Sequence, residues 1–443
     1  MTKQTPSAKL PQAFARIWPA ATVSALGDGI YLSALPLLAV GLTRNPMMLG
    51  VLQACALLPW LLFGLIGGAL VDRWDRRRTM WIADLCRCAL IAGTSLLVSR
   101  GEAGIPLLCA TAFLLGVGEI FFDTAATAYL PEVCGRDPLT IQRANARLQG
   151  SQQAGTGFVG PPVGSFLFTL GRAVPLCGDA LSFLFSSLTI RSLPRTAARP
   201  SAPRGSLLGD AKAGASYLFG NPVLLGLSLR PAVGNFAFMA GNAVLVLFVR
   251  DTLRLGTTAY GVFLTADAVG ALVGTAVAGR LAARLGTGGT LTLTAVIETA
   301  GLLTVGLAPN AWVAGAGQCV VGLGIGTTMV LGPSLRQSIV PGELMGRVTA
   351  AARMIALSAG PLGAVFGGWL AHVAGLRAPF IVGAGILAGM TIVVARLTSN
   401  RRVQAALAAA HPAPANEPNE PCGPTDRGGA PTDAVRPATV GAP

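Results

Sequence analysis

Runs of about 20 residues with almost no charge recur along the chain, and they constrain its fold more than any other feature. The stretch from Val51 to Leu70, for example, contains no Asp, Glu, Lys or Arg. Hydrocarbon offers the backbone no hydrogen-bonding partner, so a segment of this length and composition satisfies itself only as a helix. Of the 443 residues, 52% are hydrophobic and 12% charged, about half the charged share of a soluble domain. Mean hydropathy is +0.61. The reading is an all-α membrane protein.

Breaks between the apolar runs give twelve expected spans. Six lie at 17–42, 48–71, 79–99, 104–130, 148–171 and 173–191. Six more lie at 222–249, 259–283, 289–308, 311–334, 345–371 and 377–397. The basic residues sort onto alternate connections. One set holds Arg16, Arg73, Arg76–Arg78, Arg143, Arg147, Arg280, Arg284, Arg336 and Arg347, among others; the opposite set holds only Arg44, Arg100, Arg172, Arg250, Arg254 and Arg377. By the positive-inside bias both termini are expected in the cytoplasm, with the chain multi-pass in the cell membrane. Asp28 in the first run argues against reading that run as a cleaved signal peptide.

Residues 1–16 read as a cytoplasmic N-terminal segment, 17–191 as a six-helix lobe, and 192–221 as a basic, Pro-rich cytoplasmic linker. A second lobe covers 222–397, and 398–443 read as a cytoplasmic tail, largely disordered for want of large apolar residues. The lobes repeat one another. "GPPVG" from Gly160 returns as "GPLGA" from Gly360, "GRAVP" from Gly171 as "GLRAP" from Gly375, and "LPEV" from Leu130 as "VPGEL" from Val340. Two six-helix halves related by a repeat are an architecture of secondary transporters.

Several function classes are disfavoured. The net charge of +14 sits at the ends of apolar runs without interleaved aromatics, which argues against nucleic acid as a partner. The eight cysteines show no metal or redox spacing, and there are two histidines. No GxxxxGK loop is present, and no nucleophile–base set. An enzyme is not expected, nor is a cofactor or bound metal.

"GGALVDRWDRRRTM" (Gly67–Met80) packs six ionised side chains against the end of an apolar run. Gly68, Asp72, Arg73, Arg76 and Arg77 match a pattern, Gly-x-x-x-Asp-Arg-x-x-Arg-Arg, that resembles the loop signature of the major facilitator superfamily; Asp75 stands where that family usually has glycine. "ADLCR" from Ala83, "LPEV" through "ANARLQGSQQAG", and "VPGELMGRV" from Val340 extend the likeness over roughly residues 15–397. It is similar to the branch of macrolide-type efflux pumps and the enterobactin exporter. The arginine which that family carries in its fourth helix upstream of "GVG" is absent here. The resemblance implies twelve helices in two pseudo-symmetric lobes and transport by alternating access. It also implies a cytoplasmic latch of Gly68, Asp72, Arg73, Arg76 and Arg77 with carboxylates such as Asp84 and Glu132.

Charges inside spans are expensive and serve as functional candidates. Asp28 lies midway along the first; Glu119 and Asp123 share a face of the fourth at i, i+4 spacing. Arg230 and Glu298 lie in the seventh and ninth, while Asp84 and Arg87, three apart, are placed to satisfy each other. These make Asp28, Glu119, Asp123, Arg230 and Glu298 the proton and substrate candidates. Gly160, Pro161 and Gly164, repeated as Gly360 and Pro361, are expected to bend the fifth and eleventh helices. "GPPVG" resembles the family's antiporter motif. The expected function is a proton-coupled exporter of a small apolar drug or secondary metabolite, acting as a monomer on cargo, protons and the bilayer. A siderophore exporter, a lysophospholipid transporter or a non-transporting scaffold of the same fold are the alternatives.

Overall fold

The computed structural model describes Pro11 and residues 13–71, 74–135, 137–193 and 207–410. Every regular element among them is helical. The first lobe begins with α1 (Phe14–Leu42), α2 (Pro46–Val71), α3 (Arg76–Ser99) and α4 (Ile105–Cys134). Its fifth span is built in three pieces: α5 (Pro138–Gln153), a π-helical segment (Ala154–Val159) and α6 (Gly160–Leu170). The sixth is α7 (Val174–Arg191).

A short helix, α8 (Leu207–Gly220), precedes the second lobe. That lobe starts with α9 (Pro222–Asn242), continued by α10 (Leu245–Leu247) and a π segment (Phe248–Thr252). It proceeds through α11 (Thr257–Leu307), α12 (Ala311–Ile339), α13 (Gly342–Ala374) and α14 (Ala378–Leu397). The tail helix α15 (Asn400–Ala410) follows.

Nine of these helices are long and apolar enough to cross a membrane whole. Twelve spans emerge because α11 counts twice and because the jointed fifth span and the 18-residue α7 add two. Gly286 divides α11, with φ 76 and ψ 159, a conformation that a side chain resists. Polar caps set other starts: Asp75 accepts from the Arg78 backbone N–H at 3.0 Å, Asp137 from Thr140 at 3.0 Å and Asn310 from Val313 at 3.0 Å.

Three boundaries differ from the sequence reading. The fifth span starts ten residues earlier than expected, because Asp137 and Pro138 nucleate a helix through the polar stretch to Gln153. The linker 192–221 contains α8, whose Gly214 packs against the Arg347 backbone of α13. In the segment read as largely disordered, α15 is a helix that buries Val403, and Asn400 bonds both arms of the Gly286 break, donating to Leu285 O at 2.8 Å and accepting from Gly289 N–H at 3.0 Å.

The lobes meet at the end of the bundle away from Phe14 and Leu397. Leu35, Leu38 and Leu49 of the first lobe share one buried core with Val244, Phe248, Tyr260 and Phe263 of the second. Gly50 of α2 packs on Gly368 of α13, and Gly261 of α11 on Ser165 of α6. At the opposite end, beside Phe14 and Leu397, a cavity opens.

Candidate functional site

That cavity has a volume of about 590 Å³. It runs from Asp28, near the middle of α1, down to Ile17, Leu130, Asn145 and Ile190 at that end. Its wall carries three carboxyls from two helices: Asp28 of α1, with Glu119 and Asp123 of α4. The i, i+4 spacing on α4 thus does place both acids on the cavity face. Apolar surface comes from Trp60, Met80 and Phe122, and Arg353 of the second lobe lies over the Trp60 ring at 5.2 Å from its centroid.

One guanidinium organises this wall. Arg87 of α3 donates from Nη2 to Asp28 Oδ1 at 2.8 Å and from Nη1 to Asp84 Oδ1 at 3.4 Å. Its Cζ lies 3.9 Å from the centroid of the Phe183 ring on α7. Gly118 of α4 makes room for it: a Cβ there would come within 2.7 Å of Arg87 Cγ. The pair is asymmetric in its access to water. The Asp28 side chain is 35% exposed, whereas those of Arg87 and Asp84 are 6% and 0% exposed.

Asp84 therefore belongs to this central network rather than with the loop arginines beside which the sequence reading placed it. Asp179 of α7 is buried beside Gly27 of α1. The Oδ2 atoms of Asp84 and Asp179 both lack a hydrogen-bond partner. Sequence reasoning confined Arg87 to its own helix. Its position 11 residues into α3, opposite the bare backbone of Gly118, was the available signal for its wider role.

Arg230 and Glu298 do not line the cavity. They bond each other at 2.9 Å, with Arg230 also donating to Thr294 Oγ1 at 2.8 Å and to Leu291 O at 3.3 Å. This set pins α9 to the second half of α11, inside the lobe. Arg230 thus sits as the counter-charge of Glu298, buried within its own lobe.

Of the loop motif, Asp72 and Arg73 lie outside the described residues, as do the surroundings of Gly68. Arg76 pairs with Glu132 and donates to Ala128 O at 3.1 Å, tying α3 to α4. Arg77 donates to Ile190 O at 3.4 Å and to Arg191 O, tying α3 to the last turn of α7. These contacts stay within the first lobe.

The two bend motifs differ in geometry. In the fifth span the π segment ends at Val159, two residues before Pro161, and the helix is closely applied to α1: a Cβ on Gly155 would lie 2.8 Å from the Ala25 carbonyl carbon, and one on Gly164 within 2.8 Å of Ile30 Cα. In the eleventh span α13 runs unbroken through Gly360 and Pro361, so no second π joint forms there.

A sequence profile described as a transmembrane secretion effector matches residues 5–425. The chain belongs to the major facilitator superfamily. It is similar to the multidrug efflux pump Tap of Mycolicibacterium fortuitum, 31% identical over 82% of this chain and 90% of that one. Macrolide efflux protein A of Streptococcus pyogenes is 24% identical over 88% of this chain and 97% of its own length. Among solved structures, the nucleoside transporter NupG superposes with a TM-score of 0.71 at 12% identity, covering 88% of this chain and 99% of that one. A bacterial homologue of the iron transporter ferroportin, in an inward-facing state, gives 0.72 at 14% identity over 88% and 99%. Those two likenesses concern the fold alone. The chain is a multi-pass membrane transporter of small molecules, and the family is not one of enzymes.

Proposed function

We propose that the protein is a proton-coupled exporter of small, largely apolar compounds, working by alternating access from the plasma membrane with both termini in the cytoplasm. The observation that carries this reading is the asymmetry of the Asp28–Arg87 pair. The carboxyl is wetted by the cavity, and the guanidinium behind it is dry. A proton arriving at Asp28 removes one charge from the bond to Arg87. Arg87 then retains Asp84 and the Phe183 face. A bond formed in one protonation state and weakened in the other biases a conformational equilibrium by its differential energy.

Charge and shape restrict the cargo. The cavity lies in the range of drug-sized sites and mixes aromatic surface with three carboxyls. That wall favours neutral or cationic apolar compounds over anionic ones. With Arg230 committed to Glu298, no anion contact is left for a siderophore at that position. The efflux pumps named among the relatives support export as the direction. The opening at the end beside Phe14 and Leu397, with the other end sealed, is the cytoplasm-facing half of the cycle. In the opposite half the Asp72 motif would close that end.

The test is transport in everted vesicles with an acidic interior. The wild-type protein should accumulate an apolar cationic dye, a protonophore should abolish the accumulation, and Asp28→Asn should remove the dependence on the gradient. Accumulation indifferent to the pH gradient in the wild-type protein would sink proton coupling.

A further inference from the structure

A second hollow, about 540 Å³ in volume, lies between α3 and α4 on the side of the lobe away from the central cavity. Its walls are apolar over most of their length, with Ile82, Leu90, Leu114 and Val117 among them. Ile82 and Leu114 are exposed on the outer surface. One end differs from the rest. There Arg78, an exposed residue, and Trp74, 47% exposed and stacked on Phe121 at 5.8 Å, form the mouth. Among the described residues Arg78 has no ion-pair partner; the Asp75 carboxylate beside it accepts from the Arg78 backbone N–H. We infer that this groove is a binding site for one anionic phospholipid, its headgroup on Arg78 and one acyl chain laid along α3.

Three properties select that occupant. The first is length. From Arg78 to Leu90 a helix rises about 18 Å, close to the ~15 Å hydrocarbon depth of one leaflet. A compact drug would fill only part of such a slot. The second is the order of chemistries: a tryptophan and an exposed arginine at one end, then mostly apolar side chains, matches the sequence of headgroup, interface and tail across a leaflet. The third is charge. A guanidinium at headgroup depth attracts anionic lipid, and it can donate two parallel bonds to a phosphate.

The floor of the groove gives the site its interest. Gly118 and Arg87 both line it. The bare backbone of Gly118 brings the groove up to the aliphatic stem of Arg87, whose guanidinium faces Asp28 on the other side. A tail seated here packs on the back of the central ion network from the lipid side. The inference rests on groove geometry and is independent of proton coupling.

Native mass spectrometry of the full chain, released from detergent with either dioleoyl phosphatidylglycerol or dioleoyl phosphatidylcholine, tests it. The wild-type protein should hold one phosphatidylglycerol about fivefold more tightly than phosphatidylcholine, the effect of one arginine near a charged interface. Arg78→Gln should bring the two lipids level, while Arg44→Gln, an exposed arginine at the other end of the bundle, should leave the preference intact. Cys86→Trp, which fills the groove, should remove the tight adduct for either lipid. Equal retention of the two lipids by the wild-type protein overturns the site, as does a preference that survives both Arg78→Gln and Cys86→Trp.

Discussion

Arg230 donates through Nη2 to Glu298 Oε1 at 2.9 Å, and neither side chain is more than 6% exposed. Arg87 makes the matching bond to Asp28 in the first lobe at 2.8 Å, yet there the carboxyl is 35% exposed. Each lobe thus holds a buried arginine against a carboxyl, and of the Asp28 and Glu298 carboxyls only Asp28 lines the cavity. On the proposed function the dry pair is a structural pin and the wetted pair a working part.

Arg230→Ala should therefore act on stability. It strands Glu298 in an apolar interior, and breaking a buried pair by removing one partner costs about 3–5 kcal/mol. The double substitution Arg230→Met with Glu298→Leu removes both charges and should recover most of that loss. Thermal unfolding of the detergent-purified proteins measures both. A stable Arg230→Ala protein that selectively loses anionic cargo would instead make Arg230 a substrate contact.

For the wetted pair the expectation reverses. Asp28→Asn keeps the volume of the side chain and a carbonyl oxygen that can accept from Arg87, so the protein should remain folded. Its gradient-driven transport should fall by at least about tenfold, the effect of about 1.4 kcal/mol on the conformational equilibrium. Exchange of cargo down its own gradient should survive. A loss of both activities together with unchanged folding would point to Asp28 as a cargo contact alone.

How much of this was legible in the sequence follows from the range of each interaction. The spans could be read from apolar runs, because the bilayer imposes length and composition residue by residue. Glu119 and Asp123 could be placed on one face, because i, i+4 spacing is local. Arg87 could be paired with Asp84 for the same reason. Its bond to Asp28, 59 residues away, leaves no trace in spacing. The start of α5 was missed although Asp137 and Pro138 advertise it, because the polar residues that follow read as a loop. The bond between Arg230 and Glu298 is likewise hidden by their separation of 68 residues, so sequence leaves both as proton or substrate candidates.

The tail helix offers a third prediction. Asn400 links α15 by side-chain hydrogen bonds to the turn around Gly286, with one bond to each arm. Asn400→Ala removes both bonds from an exposed site and should lower stability by about 1 kcal/mol. Hydrogen exchange should show faster exchange across Asn400–Ala410 and at Gly289, with the spans unaffected. Exchange unchanged in α15 would mean that burial of Val403, not Asn400, docks it.

The loop arginines permit the last prediction. Arg76 and Glu132 pair within the first lobe, both with 23% of the side chain exposed. Their bond joins α3 to α4, the two helices that carry Arg87 and the Glu119–Asp123 face. A bond of this kind fixes geometry within a moving body, so it should persist in both halves of the transport cycle. Either single reversal, Arg76→Glu or Glu132→Arg, places like charges together and should slow transport. The double reversal restores an opposite pair and should recover the rate, with a coupling of about 0.5–1 kcal/mol in a stability cycle. A bond that instead alternates between the lobes would fail this rescue, because the swapped arginine could not also meet the partner left on the other lobe. Initial transport rates of the four proteins, normalised to the amount in the membrane, distinguish a brace inside one lobe from a contact that opens and closes.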